Sequence, residues 1–253
     1  MYAEERQQQI LTAVETRGRV AVSELAAHFD VASETIRRDL DALDRQGLLA
    51  RVHGGAIPRR TREVEPDLGV RLSTNTEAKR AIAAAAAQFL PTGEHATVLL
   101  DAGSTTVELV PHLDGLGLRI VTNSLPIAEA ALTISTTGVD ILPGTVRGLT
   151  RAAVGVDTVR ALSRLHPDVA FIGCNGMGED GFTTPDPEEA AGKSAMVAGA
   201  RRRIVLADAS KADVSQLVTF AELDDVDVLV TDRSLPDSHL RTFTDSGIEV
   251  VRA

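Results

Sequence analysis

The stretch SETIRRDLDALDRQ, residues 33–46, decides how the N-terminal part of this chain folds. Ile36, Leu40 and Leu43 recur at i, i+4 and i+7, the spacing of one helix face, so the sequence predicts an amphipathic helix. Ser33 stands just before this pattern, and its hydroxyl is expected to accept a hydrogen bond from an unpaired N–H group of the first turn. The predicted helix therefore has a buried apolar side and a polar cap.

The opposite face of this helix carries Thr35, Arg37 and Arg38 in its first two turns. Such a helix can lie in the major groove of DNA, where arginine binds guanine O6 and N7 or a phosphate. Asp39, beside the two arginines, is expected to orient them rather than to contact a base. The alternative is a solvated amphipathic helix with two surface arginines, and the neighbouring segments decide between these interpretations.

The segment before this helix favours a DNA-binding domain. Helices are predicted at residues 4–16 and 23–29, the second one capped by Ser23, and a tight turn at residues 30–32 leads into the helix at 33–46. Two helices joined by so short a turn form a helix-turn-helix, which places the second helix in the groove.

A β-hairpin is predicted after the helix-turn-helix. Residues 48–57 form two short extended runs around Gly54-Gly55, whose glycines supply the positive φ of a hairpin turn. This wing carries Arg51 and His53, which suit contacts with phosphate or the minor groove, although Arg51 also fits an ordinary edge-strand charge. The residues predicted to contact DNA are Ser33, Glu34, Thr35, Arg37, Arg38, Arg51, His53 and Gly54.

Composition limits the remaining function classes. The chain has 253 residues, of which 43% are hydrophobic, so it can bury a core. It has no apolar run long enough to cross a bilayer, and its opening MYAEERQQQ does not read as a signal peptide, so no membrane partner is expected. Cys174 is the one cysteine, which predicts no internal disulfide and a cytoplasmic location. The six histidines lack ligand spacing, so neither a metal site nor a cofactor is expected.

Charge is distributed unevenly along the chain. Residues 1–62 hold ten arginines and nine acids, for a net +1, whereas the remaining 16 bases and 27 acids give −11 and a total of −10. An N-terminal part of this kind binds DNA through a local patch. We therefore expect weak non-specific affinity and a steep loss of binding with added salt.

The rest of the chain predicts a second domain. Residues 59–76 begin with Arg59, Arg60 and Arg62, and they contain Pro66 and few apolar residues. This composition predicts a linker, either a solvated spacer or a further contact with the DNA backbone. Apolar strands then alternate with helices through residues 77–253, which predicts an α/β domain with a mostly parallel sheet covered on both faces. The predicted division is therefore a DNA-binding domain at 3–58, a linker at 59–76 and an effector-binding domain at 77–253.

Polar residues gather where the predicted strands end, which is where parallel sheets bind ligands. The loop at residues 101–106 follows a strand and opens a helix, so its backbone N–H groups and hydroxyls suit a phosphate. Asparagine and aspartate suit sugar hydroxyls, and cations suit phosphate. Four strand ends carry such residues. The predicted ligand contacts are Asp101, Gly103, Ser104, Thr105, Thr106, Asn123, Ser124, Arg151, Asn175, Lys193, Asp208 and Lys211, and none is predicted to be catalytic.

The N-terminal motifs resemble a known family. Arg6, Ile10, Val14 and the run ASETIRRDL at 32–40 fall at the spacing of the DeoR/GlpR family of bacterial transcription regulators, and VHGGA at 52–56 is typical of its wing. The resemblance continues in the elements DAGSTT at 101–106, TNS at 122–124, GFTT at 181–184 and DASK at 208–211. These resemble the family's C-terminal sensor domain, which is related in fold to ribose-phosphate isomerases.

This resemblance implies a winged helix-turn-helix followed by a sugar-phosphate sensor, in a homo-oligomeric repressor that leaves its operator when the sugar phosphate binds. It implies that residues 101 and 103–106 form a phosphate loop, with Lys193, Asp208 and Lys211 as further contacts. The family often has Gly-Gly where this chain has Pro143-Gly144-Thr145, which leaves the roles of Arg147 and Arg151 open.

Within the family, the opening MYAEERQ, TRAAVG at 150–155 and TTPD at 183–186 resemble actinobacterial repressors of fructose operons, which implies fructose 1-phosphate as the ligand. Two alternatives remain. A regulator of this class can also be a ligand-dependent activator. An isomerase-like enzyme would use Asp101, Asp208 and Lys211 as acid and base, but the attached DNA-binding domain argues against it.

Overall fold

The computed structural model describes residues 3–18, 20–45, 49–52, 54–58, 65–93 and 96–253. The chain divides into two compact units, Met1–Val64 and Glu65–Ala253.

The N-terminal unit is a winged helix-turn-helix, as the sequence predicts. Its sheet has the strand order β1-β3-β2, with every pair antiparallel. Ile10, Ile36, Leu40 and Leu43 form the centre of its aliphatic core, so the predicted inner face of the 33–46 helix is confirmed. Its elements are α1 (Ala3–Arg17), β1 (Val20–Ala21), α2 (Val22–Phe29), α3 (Ser33–Arg45), β2 (Leu49–Val52) and β3 (Gly55–Pro58).

Both predicted serine caps are wrong. Helix α2 begins one residue before Ser23, and α3 begins at Ser33 itself, so neither serine stands in the cap position. Helix α2 begins at Val22, so Ser23 lies inside the helix, and the Val22 N–H donates to the wing carbonyl of Gly54 at 2.8 Å. Ser33 is the first residue of α3, and the Ala32 carbonyl accepts from Ile36 N at 3.4 Å.

The C-terminal unit is built on a parallel sheet. Seven described strands pair in the order β15-β14-β12-β9-β4-β5-β6, and all of these pairs are parallel. The main strands are β4 (Thr97–Leu100), β5 (Arg119–Thr122), β6 (Gly138–Ile141), β9 (Val169–Gly173), β12 (Arg203–Leu206), β14 (Val228–Thr231) and β15 (Glu249–Arg252). Separate apolar clusters cover its two faces, which confirms a mostly parallel, doubly covered sheet.

Two small antiparallel sheets accompany the main one and were not predicted. They are formed by β7 (Thr145–Arg147) and β8 (Ala152–Val154), and by β10 (Gly176–Gly178), β11 (Gly181–Thr184) and β13 (Val218–Ala221). The helices of this unit are α4 (Leu68–Ser73), α5 (Thr76–Ala86), α6 (Leu125–Ala131), α7 (Val156–Leu162), α8 (Pro187–Gly199) and α9 (Asp237–Asp245). The predicted helix after residue 106 is a 3₁₀-helix, Thr106–Leu113, because Pro111 lacks the N–H that an α-helix needs.

Part of the predicted linker belongs to the C-terminal unit. Residues 59–64 lie outside the described residues. Beyond them, Asp67 caps helix α4 by accepting from Val70 N at 3.0 Å, Leu68 is buried, and Leu68 N donates to the Leu149 carbonyl at 3.0 Å. The segment from Glu65 onward is therefore a packed wall rather than a spacer. None of the described helices has the length and apolar character needed to cross a membrane.

Candidate DNA-binding face and ligand pocket

The predicted contact face of α3 is exposed. Ser33, Glu34, Arg37 and Arg38 are all exposed, and Thr35 is partly buried. Arg37 Nη1 lies 3.3 Å from Glu34 Oε2 in an ion pair open to solvent, and Arg38 makes no hydrogen bond or ion pair with a described residue. The guanidinium groups are thus held loosely enough to reach a base or a phosphate.

Arg51 of the wing contacts helix α3 instead of pointing freely into solvent. Its Nη1 donates to Asp41 Oδ1 at 2.8 Å and to the Arg37 carbonyl at 3.0 Å, and its side chain is 28% exposed. Gly54 lies at the tip of the wing with φ +79° and is exposed, whereas His53 lies outside the described residues. Arg51 therefore fixes β2 to α3 and still keeps part of its surface open.

Asp39 does not orient the neighbouring arginines, so that expectation is wrong. It is buried, accepts from Arg6 Nε at 2.6 Å and accepts from Gln7 Nε2 at 3.0 Å. Asp39 follows the exposed Arg38 by one residue, but the rotation of the helix places its carboxylate on the buried side, toward α1. Asp39 thus holds α1 against α3 and leaves Arg37 and Arg38 unpaired by it.

The candidate ligand pocket lies where the strand order of the sheet reverses. Strand β4 pairs with β5 on one side and with β9 on the other. The chain adds β5 and β6 toward one edge of the sheet and then β9, β12, β14 and β15 toward the other edge. Ligands bind α/β sheets at such switch points, at the carboxyl ends of the strands. A cavity of about 90 Å³ opens there, lined by residues that follow β4, β9 and β12 together with residues of α4 and α5.

The predicted phosphate loop forms one wall of this cavity. Gly103, Ser104 and Thr105 line it, and their N–H groups donate to no described protein group. The buried Thr106 hydroxyl donates to the carbonyls of Asp101 at 2.7 Å and Gly103 at 3.0 Å, so Thr106 shapes the loop from behind. Free N–H groups of successive residues form an anion-binding concavity.

Asp101 and Lys193 lie beneath the cavity rather than in its lining. Both are buried, and Lys193 Nζ donates to Asp101 Oδ2 and, at 2.9 Å, to the Gly173 carbonyl. Gly173 N donates to the same carboxylate at 3.1 Å. Burial raises the pKa of Asp101, while the Lys193 ammonium opposes this rise. The pair joins the ends of β4 and β9 and so supports the pocket floor.

Three further predicted contacts reach the lining. Asn175, Asp208 and Lys211 follow β9 and β12, and the Lys211 ammonium makes no hydrogen bond or ion pair with a described residue. Asp208 Oδ1 accepts from Asn75 Nδ2 at 3.1 Å. Cys174 also lines the cavity, and burial raises its pKa to about 12, so the thiol is neutral at physiological pH.

Three more predicted contacts also lie outside the lining. Asn123 Oδ1 accepts from Ala102 N at 2.9 Å and its amide donates to the Ala153 carbonyl at 3.1 Å, so Asn123 joins neighbouring loops. Ser124 caps α6 by accepting from Ile127 N at 3.3 Å. The short polar side chains of Asn123 and Ser124 thus act on the local backbone, a common use of such residues at strand ends. Arg151 is exposed, with φ +56°.

The sequence interpretation missed the wall supplied by α4 and α5. Arg71, Asn75 and Lys79 line the cavity, although residues up to 76 were predicted to be a linker. Lys79 is buried, and its ammonium donates to the carbonyls of Arg71 and, at 2.6 Å, Thr74. Burial lowers the pKa of Lys79, and Lys211 and Arg71 lower it further. The helix cap at Asp67 was the one sequence signal for this wall.

The chemistry of the lining fits an anion. Its described charged residues are three cations, Arg71, Lys79 and Lys211, and one carboxylate, Asp208. The described residues contain no group of three or more potential metal-ligating side chains. A phosphate would receive hydrogen bonds from the loop N–H groups and charge from the cations, and hydroxyls would reach Asp208 or Asn175.

Fold and site together define a two-unit regulator, and comparison with known families identifies its class. Residues 6–61 match the family described as the DeoR-like helix-turn-helix domain, and residues 74–233 match the DeoR C terminal sensor domain. The chain belongs to the DeoR family of transcriptional regulators.

Several proteins named as regulators are similar to this chain over nearly the whole length of both chains. The HTH-type transcriptional regulator GlpR of Haloferax volcanii is 33% identical over 99% of this chain and 98% of its own. The HTH-type transcriptional repressor GlcR of Bacillus subtilis is 31% identical over 99% and 96%. The L-fucose operon activator of Haemophilus influenzae is 33% identical over 92% and 93%. These names point to a regulator and away from an enzyme.

Among solved structures, ribose 5-phosphate isomerase A from Neisseria gonorrhoeae is similar over 57% of this chain and 56% of that chain, at 18% identity and a TM-score of 0.39. A likeness of this size carries no argument about function.

Proposed function

We propose that this DeoR-family regulator is a cytoplasmic repressor of a sugar-utilisation operon, and that a phosphorylated sugar binding in the pocket releases it from operator DNA. The observation that carries the proposal is a cationic pocket in an acidic protein. Three of the four charged lining residues are cations, although residues 63–253 have a net charge of −11. Burial of cations is costly unless an anion compensates for it, so a phosphate is the fitting ligand class.

The lining of the cavity favours the phosphate as the anchored group. Three cations and the free N–H groups of residues 103–105 line this cavity of about 90 Å³, and both suit a phosphate. Fructose 1-phosphate is the first ligand we propose, supported by the resemblance of segments 150–155 and 183–186 to fructose-operon repressors.

On the DNA side, Arg37 and Arg38 read the major groove while Arg51 holds the wing against α3. One such domain makes few contacts, so we propose a dimer or higher homo-oligomer that binds half-sites about 34–36 Å apart. We propose that residues 3–58 bind DNA and that residues 77–253 bind the ligand and mediate assembly. Helix α4, which precedes residue 77, also belongs to the sensor.

Two measurements test this proposal. Calorimetric titration of the full chain with fructose 1-phosphate, glucose 6-phosphate, ribose 5-phosphate and fructose tests the ligand class, and fructose without phosphate is expected not to bind. A gel shift with promoter fragments, with and without the ligand found, tests release. If the chain binds no sugar phosphate, the pocket assignment is wrong. If another sugar phosphate binds more tightly, only the choice of fructose 1-phosphate is wrong.

A ligand-dependent activator is the second candidate, because one similar protein is named an operon activator. The direction of coupling depends on which of two states the ligand prefers. Stronger operator binding in the presence of ligand would establish the activator.

A further inference from the structure

The carboxylate of Glu65 occupies an unusual position at the start of the sensor unit. Its side chain is only 5% exposed, and Arg147 Nη1 lies 2.6 Å from Oε2 while Arg71 Nη1 lies 3.6 Å from Oε1. Neither carboxylate oxygen has a donor in good hydrogen-bond alignment. Glu65 is therefore held by two arginines, of which Arg147 is the closer, and it responds to the loss of either cation.

Arg147 shares its charge among several acids. It lies 3.2 Å from Asp186 Oδ2 and 3.2 Å from Glu189 Oε1, in addition to Glu65. The Thr150 hydroxyl donates to Glu189 at 2.5 Å. Burial and the charge of Glu189 raise the pKa of Glu65, so the carboxylate is poorly stabilised where it lies. Arg71 supplies the second cation that this crowded cluster needs.

Arg71 also belongs to the ligand pocket, which gives it two possible anionic partners. It lies on α4 and lines the cavity opposite the phosphate loop, close enough to Lys79 to lower the pKa of that ammonium. Its guanidinium has five N–H donors in a planar fork, which suits a phosphate better than a single long contact to a carboxylate.

We propose that Arg71 exchanges partners when ligand binds: it pairs with Glu65 in the free protein and with the ligand phosphate in the complex. This inference rests on the proposed function and adds a regulatory route to the same pocket. Residues 59–64 join the DNA-binding unit to Glu65, so weaker retention of Glu65 alters the point where this connector meets the sensor. The exchange makes the number of cations that hold Glu65 depend on the ligand.

The first test measures ligand binding to the full chain by calorimetry, with fructose 1-phosphate and inorganic phosphate as probes. Arg71→Gln is expected to weaken binding roughly tenfold or more, because a charge-assisted contact is lost, and Arg71→Lys is expected to be intermediate. Arg80→Gln is the matched control, because Arg80 is 70% exposed and pairs with Glu108. Equal affinities for Arg71→Gln and wild type in folded protein would overturn the proposal.

The second test removes the competing carboxylate. Glu65→Gln is expected to tighten ligand binding about threefold to tenfold, since Arg71 no longer has to leave an anion. In the Arg71→Gln background the same change is expected to have no effect. An equal gain in ligand affinity in both backgrounds would show that the charge of Glu65 acts on the pocket without Arg71, and the proposed exchange would be wrong.

The third test connects the exchange to DNA. Ligand is expected to change operator affinity less in Glu65→Gln than in wild type, by at least threefold in the ratio of Kd values with and without ligand. Tighter ligand binding with an unchanged ratio would contradict the route through the connector. If wild type binds neither probe nor another sugar phosphate, the proposed function fails; if wild type binds a sugar phosphate and the variants behave as wild type, only this inference fails.

Discussion

The exposed arginines of α3 and the enclosed cations of the ligand pocket use the same charge in different surroundings. Arg37 and Arg38 are open to water, and Arg38 has no described protein partner. Arg71, Lys79 and Lys211 line a cavity, and Lys79 is buried with its ammonium fixed by backbone carbonyls. The first set suits a long, highly charged surface, and the second suits one small anion.

Solvent exposure explains what each arrangement can do. Water and salt screen exposed charges, so their contacts with DNA depend strongly on ionic strength. Enclosed charges are screened less, but they must be held by a network that compensates their desolvation. The DNA-binding face therefore needs few supporting contacts, whereas the pocket depends on Asp101, Lys193 and Glu65 beneath and beside it.

The largest expected effect comes from the pocket floor. Lys193→Met leaves Asp101 buried without its cation, so the free energy of unfolding is expected to fall by about 3–5 kcal/mol. Denaturant unfolding measures this loss, and adding Asp101→Asn to Lys193→Met should recover part of it. Arg119→Ala, which breaks an exposed pair with Asp140, is the control and should cost under about 1 kcal/mol. A full-stability Lys193→Met protein with weaker ligand binding would instead make Lys193 a direct ligand contact.

Lys211 separates ligand binding from DNA binding. Lys211→Ala is expected to weaken sugar-phosphate binding by about 1.5–3 kcal/mol, because a charged contact is lost, and to abolish the ligand response while operator affinity stays at the wild-type value. Calorimetry and gel shifts measure the two properties. Loss of operator binding in folded Lys211→Ala would contradict the separation of the two sets of cations.

Arg38 tests the exposed set. Arg38→Ala is expected to weaken operator binding by about 1–3 kcal/mol if it contacts a base, and to lower the salt slope by about one unit if it contacts a phosphate. Fluorescence titration at several salt concentrations distinguishes these outcomes. Ligand affinity should not change, and stability should stay within about 0.5 kcal/mol of wild type.

The smallest expected effect concerns the partly exposed ion pair of Arg203 and Asp227, which belongs neither to the exposed arginines of α3 nor to the pocket cations. The side-chain hydrogen bond from Arg203 lowers the pKa of Asp227 below its ordinary 3.8. Its stabilising contribution is therefore present above that ordinary value and lost as the pH falls through the lowered one. Asp227→Asn should cost under about 1 kcal/mol at neutral pH, and wild type and variant should converge in stability as the pH falls below the lowered pKa of Asp227. A difference that persists at low pH would mean that packing, not charge, stabilises this pair.

The N-terminal fold could be predicted in detail because its signals are local. The periodicity of Ile36, Leu40 and Leu43, the turn before α3 and the glycines of the wing each act within a few residues. Asp39 was predicted wrongly because a tertiary neighbour, Arg6, supplied its partner, and the two serine caps were predicted wrongly because α2 begins at Val22 and α3 at Ser33 itself. The predicted ligand residues divided in the same way: the loop at 103–105 reached the cavity, while Asn123 and Ser124 served the local backbone.

The sequence by itself determined the two-part organisation, the amphipathic helix α3 with its exposed arginines, the parallel sheet and the polar loop at residues 101–106, because periodicity and turn chemistry are written in adjacent residues. Only the tertiary structure decided that Lys193 supports Asp101 across 92 positions of sequence, that Asn75 meets Asp208 across 133, and that Arg71 and Lys79 complete the pocket. Ion pairs and pocket walls depend on which distant residues the fold brings within a few ångströms, and no local pattern encodes that distance.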